Sequence, residues 1–221
     1  YCSIEGKLIP GTPLATTYKK FSETIQCSHS KPLWSDKEEN EEETFATMNK
    51  IIHFVVEMLH EEYPDLPKQL MRELLQVASR INLSTHIVCR ALSIFRCIEL
   101  PEYKSEDIHE LIGVLLLHIQ NRESRSEVSI VVEIQRVFEQ VIETCTSAQL
   151  TELPKIFWSG VALLRSNISK DYLGGVAILS SFVKKVNFTS DIVQRKLLAY
   201  FPHSWSPAFP GLAILLLKGF C

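Results

Sequence analysis

The chain predicts an all-α fold: an α-solenoid of about nine helices, packed as degenerate HEAT- or armadillo-like antiparallel pairs. Three observations carry that expectation. Apolar residues recur at spacings of three and four almost without a break from Phe45 to the C-terminus, the period of one helix face. Only eight glycines stand among 221 residues rich in Leu, Ile, Val, Glu, Lys and Gln, a balance that favours helices over sandwiches or nucleotide-binding α/β folds. The stretches between periodic segments are mostly three to six residues long, the usual link between antiparallel neighbours. No strict sequence period is visible, so the repeats are degenerate.

Residues 1–43 read as an extended lead-in, with Pro10, Gly11, Pro13 and Pro32 and little periodicity. It ends in the acidic run Ser35–Glu43, whose like charges keep it hydrated and whose position ahead of a helix suits the helix dipole. Residues 44–221 read as the helical-repeat domain. Its first helix begins near Thr44, buries Phe45, Met48, Ile52, Val55, Val56 and Leu59, and stops before Pro64. A second spans Leu66–Arg80, with Leu70, Leu74, Val77 and Ile81 inward. Ser84 caps a third that carries Ile87, Val88, Ala91, Ile94, Phe95 and Ile98 up to Pro101. Ser105, Glu106 and Asp107 open a fourth through Ile108, Leu111, Ile112, Leu115 and Leu116.

The fifth helix runs Glu127–Cys145, with Ile130, Ile134, Val137, Phe138 and Val141 inward. A sixth starts at Ser147 or Pro154 and buries Phe157, Trp158, Val161 and Leu164. The last three span Lys170–Val186, Ser190–Tyr200 and Pro207–Phe220.

Composition narrows the function classes. A net charge of −3 supplies no global basic excess for nucleic acid, so none is expected as a partner. The apolar runs Leu111–Ile119 and Gly211–Leu217 fall short of the roughly 20 residues a membrane span needs. Six cysteines (Cys2, Cys27, Cys89, Cys97, Cys145, Cys221) are scattered through apolar helical runs and read as reduced, buried thiols of an intracellular protein. The N-terminus YCSIEGKLIPG lacks the basic start and apolar core of a signal peptide. It does not begin with Met, and the expectation is a fragment of a longer protein. Asn82, Asn167 and Asn187 head glycosylation-type tripeptides, but Ser84, Ser169 and Thr189 stand where helices begin, and capping accounts for them.

No constellation carries chemistry. The histidines are His29, His53, His60, His86, His109, His118 and His203. His109–Glu110 begins like a zinc-protease helix, but Gly113 occupies the place of the second ligand. His53 and His60 lie two turns apart, about 10 Å, too far for one metal. His86 and Cys89 share a face without a second pair. Gly174–Gly175 sits inside a helical pattern with no preceding strand and no following Lys-Ser, which reads as close helix approach rather than a phosphate cradle. Arg122, Arg125 and Arg136 are balanced by Glu123 and Glu127. Arg90 and Arg96 flank an apolar core, where guanidinium groups usually reach a neighbouring helix's carbonyls or a carboxylate. Trp158, Trp205 and Phe209 read as core fillers. Hence no catalytic, cofactor-binding or metal-binding residue is expected, and no partner-binding residue is assigned.

Four ordered blocks then carry a family resemblance: PLWSDKEE (Pro32–Glu39), the Leu66–Pro101 segment ending SIFRCIELP, LPKIFWSGVALL (Leu153–Leu164) and WSPAFPGLAILLLKGF (Trp205–Phe220). In order and spacing they resemble the C-terminal conserved region of the Furry-type cell morphogenesis proteins, over about residues 31–221. The final block departs from that pattern, with AILLLKGF where a Gln-Pro is expected after the leucine. The resemblance implies a very large cytoplasmic protein of helical repeats without enzymatic activity or cofactor. It would act with an NDR-family kinase and a Mob co-activator in polarised growth, at the cell cortex, microtubules or actin.

The expected function is therefore a non-enzymatic scaffold, working by positioning partners. An all-helical enzyme would need a cleft gathering at least two of His53, His86, His109 and Glu110. A lipid-surface domain would use the 206–220 helix, which has one basic residue, Lys218, and reads as buried.

Overall fold

In the computed structural model, residues 15–16, 18–20, 22–23, 41–100, 102–121, 126–205 and 207–220 are described. Among them every regular element is a helix. The chain is therefore all-α. Of the lead-in, residues 15–16, 18–20 and 22–23 are helical, with Lys19 and Glu23 4.0 Å apart. Ten α-helices follow among the described residues: α1 Glu41–Leu59, α2 Leu66–Ala78, α3 Thr85–Arg96, α4 Ser105–Gln120, α5 Ser126–Thr144, α6 Ser147–Thr151, α7 Pro154–Leu164, α8 Ser169–Lys185, α9 Asp191–Ala199 and α10 Leu212–Leu217. Short 3₁₀ turns cover His203–Trp205 and Lys218–Phe220.

The described residues fall into two compact units. One comprises the chain to Leu74 with Ser93–Glu99; the other comprises Leu75–Leu92 and the chain from Leu100 onward.

In the first unit α1 starts three residues earlier than the sequence predicts. Its opening turn therefore takes in Glu42 and Glu43, where negative charge suits the helix dipole. The rest of the acidic run lies outside the described residues. Met48 is fully buried, whereas Phe45, Ile52, Val55, Val56 and Leu59 are half-buried. Phe95, Cys97 and Ile98 complete the buried set at the far end of α3, where the Arg96 guanidinium lies 4.2 Å over the Phe45 ring. That stacking is one seat of the Arg96 guanidinium.

The second unit is built around α8, which packs against α5 on one side and α7 on the other. The α4 helix joins this layer against α5 and α7, and α9 and α10 pack on α7. All five inward residues expected on α5 are buried, together with Val131 and Ile142. Burying side chains such as Phe138, Ile142 and Leu164 contributes about 1.5–3 kcal/mol each.

Two glycines set the closest approach. A Cβ on Gly175 would stand 2.8 Å from the Gly160 carbonyl oxygen and 3.0 Å from the Leu163 Cβ. On Gly174 it would collide with the Gln135 amide at 2.1 Å. The Gly-Gly pair thus brings α8 against α7 and α5, the helix-approach role its sequence context predicts.

Several local expectations change. The inward stripe of α2 is Met71, Leu75 and Ala78, one position on from the predicted Leu70, Leu74 and Val77, and Ile81 is exposed beyond the helix end. The apolar face of α2 is wide enough for either phase, and the neighbours choose its centre. Ile87 on α3 and Leu116 on α4 are exposed, while Leu92 and Val114 take buried places. The predicted sixth helix is two: a single-turn α6, closed by a Thr146–Gln149 capping box, and α7 with Pro154 in its first turn.

Capping by the Ser169 and Thr189 hydroxyls is also corrected. Ser169 lies inside α8, and Ser166 does the local work by accepting from the Ile168 N–H and donating to buried Asp171. The Thr189 hydroxyl donates to Asn187 in an Asx turn rather than capping α9. Ser84 contributes its carbonyl to the first bonds of α3. The final helix is much shorter than Pro207–Phe220, because Gly211 turns the chain at φ +95° and helix begins only at Leu212.

Candidate functional site

The C-terminal helices assemble aromatic side chains that are far apart in sequence. Phe157 and Trp158 are adjacent on α7 and so point to different sides of one helix. Phe157 faces inward, its ring centroid 5.7 Å from Phe182 of α8 and 5.8 Å from Phe188 in the following turn. Trp158 faces outward into a second layer, 5.2 Å from Phe201, 6.1 Å from Trp205 and 6.4 Å from Phe209. Most of these pairs are edge-on, the arrangement the ring quadrupoles favour, while Trp205 and Phe209 stack at 5.7 Å. The Trp158 indole N–H donates to the Leu197 carbonyl of α9 at 2.9 Å, so the ring also joins α9 to α7. The structure thus brings together Trp158, Trp205 and Phe209. All three are half-buried, intermediate between core and surface.

Polar side chains frame this cluster. The Arg165 guanidinium at the end of α7 lies 5.2 Å from the Trp205 ring centroid. Lys218 reaches back to the same helix end and donates to the Arg165 and Ser166 carbonyls and to Asn167 Oδ1, at 3.3, 3.0 and 2.9 Å. An ammonium there satisfies carbonyls that the helix end leaves unpaired. The Tyr172 hydroxyl donates to the Leu216 carbonyl at 2.6 Å, and a Cβ on Gly219 would strike the Tyr172 ring. Through Lys218 and Tyr172, α10 is pinned to the turn between α7 and α8. On the α5 side, Lys185 donates to the Glu143 and Cys145 carbonyls and closes that helix end in the same way.

The pinned α10 is not a core helix. Leu215 alone in it is buried, while Ala213, Ile214, Leu216 and Leu217 are exposed. That corrects the expectation of a buried 206–220 helix: six residues make too short a helix to wrap an apolar face around α7, and its two polar anchors fix its orientation. Sequence reasoning missed Arg165, Tyr172 and Lys218 as anchors. A lone lysine after a wholly apolar run was the one signal for Lys218.

Among the described residues the histidines do not converge. His53 stands on the exposed face of α1, its Nε2 3.9 Å from Glu57. His60, His109 and His203 are exposed, and His86 accepts from Arg90 at 3.1 Å. His118 is buried and donates from Nε2 to the Ala78 carbonyl at the end of α2, at 2.8 Å. Among the described residues no group of His, Cys, Asp or Glu is placed to hold a metal ion. His29, Arg122 and Arg125 lie outside them.

Of the cysteines, Cys89, Cys97 and Cys145 are free thiols, and Cys2, Cys27 and Cys221 lie outside the described residues. Burial pushes the Cys89 thiol up to about 12; Glu133 adds to the shift and Arg136 opposes it. Burial likewise pushes Cys97 up to about 12, against the pull of Arg96, and raises Cys145 against Lys185. Such thiols stay protonated and behave as small apolar side chains rather than nucleophiles. What the C-terminal corner offers chemically is non-covalent recognition by rings, aliphatic side chains and cations. Among the described residues no helix is long and apolar enough to cross a membrane.

Comparison with known proteins falls on the same region. Residues 154–221 match the family described as "Cell morphogenesis C-terminal". The chain is 27% identical over 179 residues to the Cell polarity protein mor2 of Schizosaccharomyces pombe, covering 81% of the chain and 8% of that protein. It is 26% identical over 225 residues to the Cell morphogenesis protein PAG1 of Saccharomyces cerevisiae, covering 99% of the chain and 9% of that protein. The chain therefore spans less than a tenth of the length of these relatives. No solved structure matches it.

Proposed function

We propose that this chain, whose residues 154–221 match the family described as "Cell morphogenesis C-terminal", is a non-enzymatic scaffold segment of a much longer Furry-like protein. Residues 44–221 act as its helical-repeat portion, stacked in the HEAT or armadillo manner, with residues 1–43 as the lead-in. It works in the cytoplasm, at the cortex or on the cytoskeleton, by holding an NDR-family kinase and its Mob co-activator in register during polarised growth. The observation that carries this reading is where the family match falls. It covers the helices joined by the Gly160–Gly175 approach and the Trp158 cluster, a surface assembled from several helices. A repeat array of this kind acts by presenting such a surface, with affinity concentrated in a few aromatic or arginine anchors.

The test is a pull-down with the 221-residue chain, with and without residues 36–43, against purified NDR-family kinase, Mob protein and tubulin. Saturable binding to the kinase or Mob protein supports the scaffold role, and dependence on 36–43 places one contact in the acidic run. Binding to none of the three overturns the partner assignment.

A further inference from the structure

Charge is distributed very unevenly along this chain. Residues 154–221 hold eight Lys and Arg against two Asp and Glu, a formal +6 within a chain whose total is −3. Of the two acids, Asp171 is buried and accepts from Ser166 while Asp191 is exposed, and of the cations Lys196 is paired with Glu152 from just before the region. The exposed aliphatic side chains of the same region include Leu173 at 64%, Ile214 at 59% and Leu217 at 62% of full exposure. Leu173 follows Tyr172, whose hydroxyl is bonded to α10, and Lys170 lies one turn before it on the same face of α8. Ile214 and Leu217 are likewise one turn apart on α10. Lys218 and Tyr172 hold α10 with these side chains outward.

We propose that this corner, comprising Arg165, Lys170, Leu173, Ile214 and Leu217, is a docking surface for an anionic lipid bilayer. Basic residues concentrate such a surface near negatively charged headgroups, each contributing to partitioning, and outward aliphatic side chains then enter the boundary between headgroup and acyl chain. An acidic protein segment would satisfy the charges alone. It would leave α10 unexplained, since Leu212–Leu217 contains no polar side chain to orient a peptide. A bilayer needs no such orienting group.

The experiment is co-sedimentation of the 221-residue chain with phosphatidylcholine vesicles containing or lacking 30% phosphatidylserine, at 100 mM salt. The chain sediments with the phosphatidylserine vesicles and not with phosphatidylcholine alone. Lys170→Glu lowers partitioning at least about five-fold, and Leu173→Asp and Ile214→Asp each lower it about ten-fold. Leu116→Asp, at an exposed position of α4 outside the region, changes it less than about two-fold. Circular dichroism melts, expected to match wild type because every substituted side chain is exposed, separate loss of binding from loss of fold. Absence of binding to phosphatidylserine vesicles overturns the proposal, as does wild-type binding by both aspartate variants. So does a dimer in size-exclusion chromatography that Ile214→Asp dissolves without altering lipid binding, which would make this face an interface between copies of the chain.

Discussion

Replacing Gly175 by Ala and Gly113 by Ala is the same chemical change with opposite expected signs. Both glycines lie inside helices, so each alanine gains about 1 kcal/mol of helix propensity. At Gly113 on α4 a new Cβ meets nothing within 4 Å, so that gain stands alone. At Gly175 the Cβ would sit 2.8 Å from the Gly160 carbonyl oxygen, 3.0 Å from the Leu163 Cβ and 3.1 Å from the Leu164 nitrogen. Two of those atoms are backbone, so relief requires α8 to move away from α7. Overpacking of this kind costs about 1–3 kcal/mol. Because backbone cannot yield as a side-chain tip can, the upper part of that range applies. Net of propensity, Gly175→Ala destabilises by about 1–2 kcal/mol. For a chain of this size 1 kcal/mol shifts Tm by about 2–4 °C. The expected result is a rise of about 2–4 °C for Gly113→Ala and a fall of about 2–8 °C for Gly175→Ala, read by circular dichroism. An equal or higher Tm for Gly175→Ala than for Gly113→Ala would refute the close approach of α7 and α8.

Three further outcomes follow from named contacts. Phe95, 4% exposed, has no room for a carboxylate, and Phe95→Asp should cost at least about 4 kcal/mol and abolish the cooperative melt of its unit. A melt unchanged by it would count against the packing described. Trp158→Phe removes the indole donor to the Leu197 carbonyl and should destabilise by about 1 kcal/mol while leaving the ring cluster filled, so a Tm at or above wild type would contradict that bond. The Cys89 and Cys97 thiols, pushed up to about 12 by burial, should react with iodoacetamide at pH 8 at least about 100-fold slower than in urea-unfolded chain. Their linkage has a definite sign: the folded state keeps these protons where the unfolded state releases them. The stabilisation is whole below the ordinary thiol value of 9.0 and is lost as pH rises from there towards 12. Denaturation midpoints that hold steady across that window would show the thiols to be solvated.

The candidate corner was only partly legible in the sequence. Trp158, Trp205 and Phe209 stand out as aromatics near helix ends, but nothing local says that residues nearly fifty positions apart share one cluster. The charge bias of residues 154–221 is countable from the letters alone, and it is masked when the chain is summed as a whole. The outward face of α10 was misjudged because an uncharged apolar hexapeptide reads as core. Polarity gives burial only on average, and a helix of one and a half turns cannot bury every side of itself.

What the sequence by itself determined is the local order: an all-helical chain, with an end before Pro64 and an α5 whose five predicted core residues are all buried. These depend on neighbours three to seven positions away, within reach of a periodic pattern. Tertiary structure decided which part of each wide apolar face points inward, as on α2, where the centre moved to Met71, Leu75 and Ala78. It also decided that Gly175 meets the Gly160 backbone, and that Lys218 spends its charge on the end of α7 and so leaves Ile214 and Leu217 in solvent. Each of those outcomes joins side chains that are distant in sequence, and their energies exist only once the helices have met.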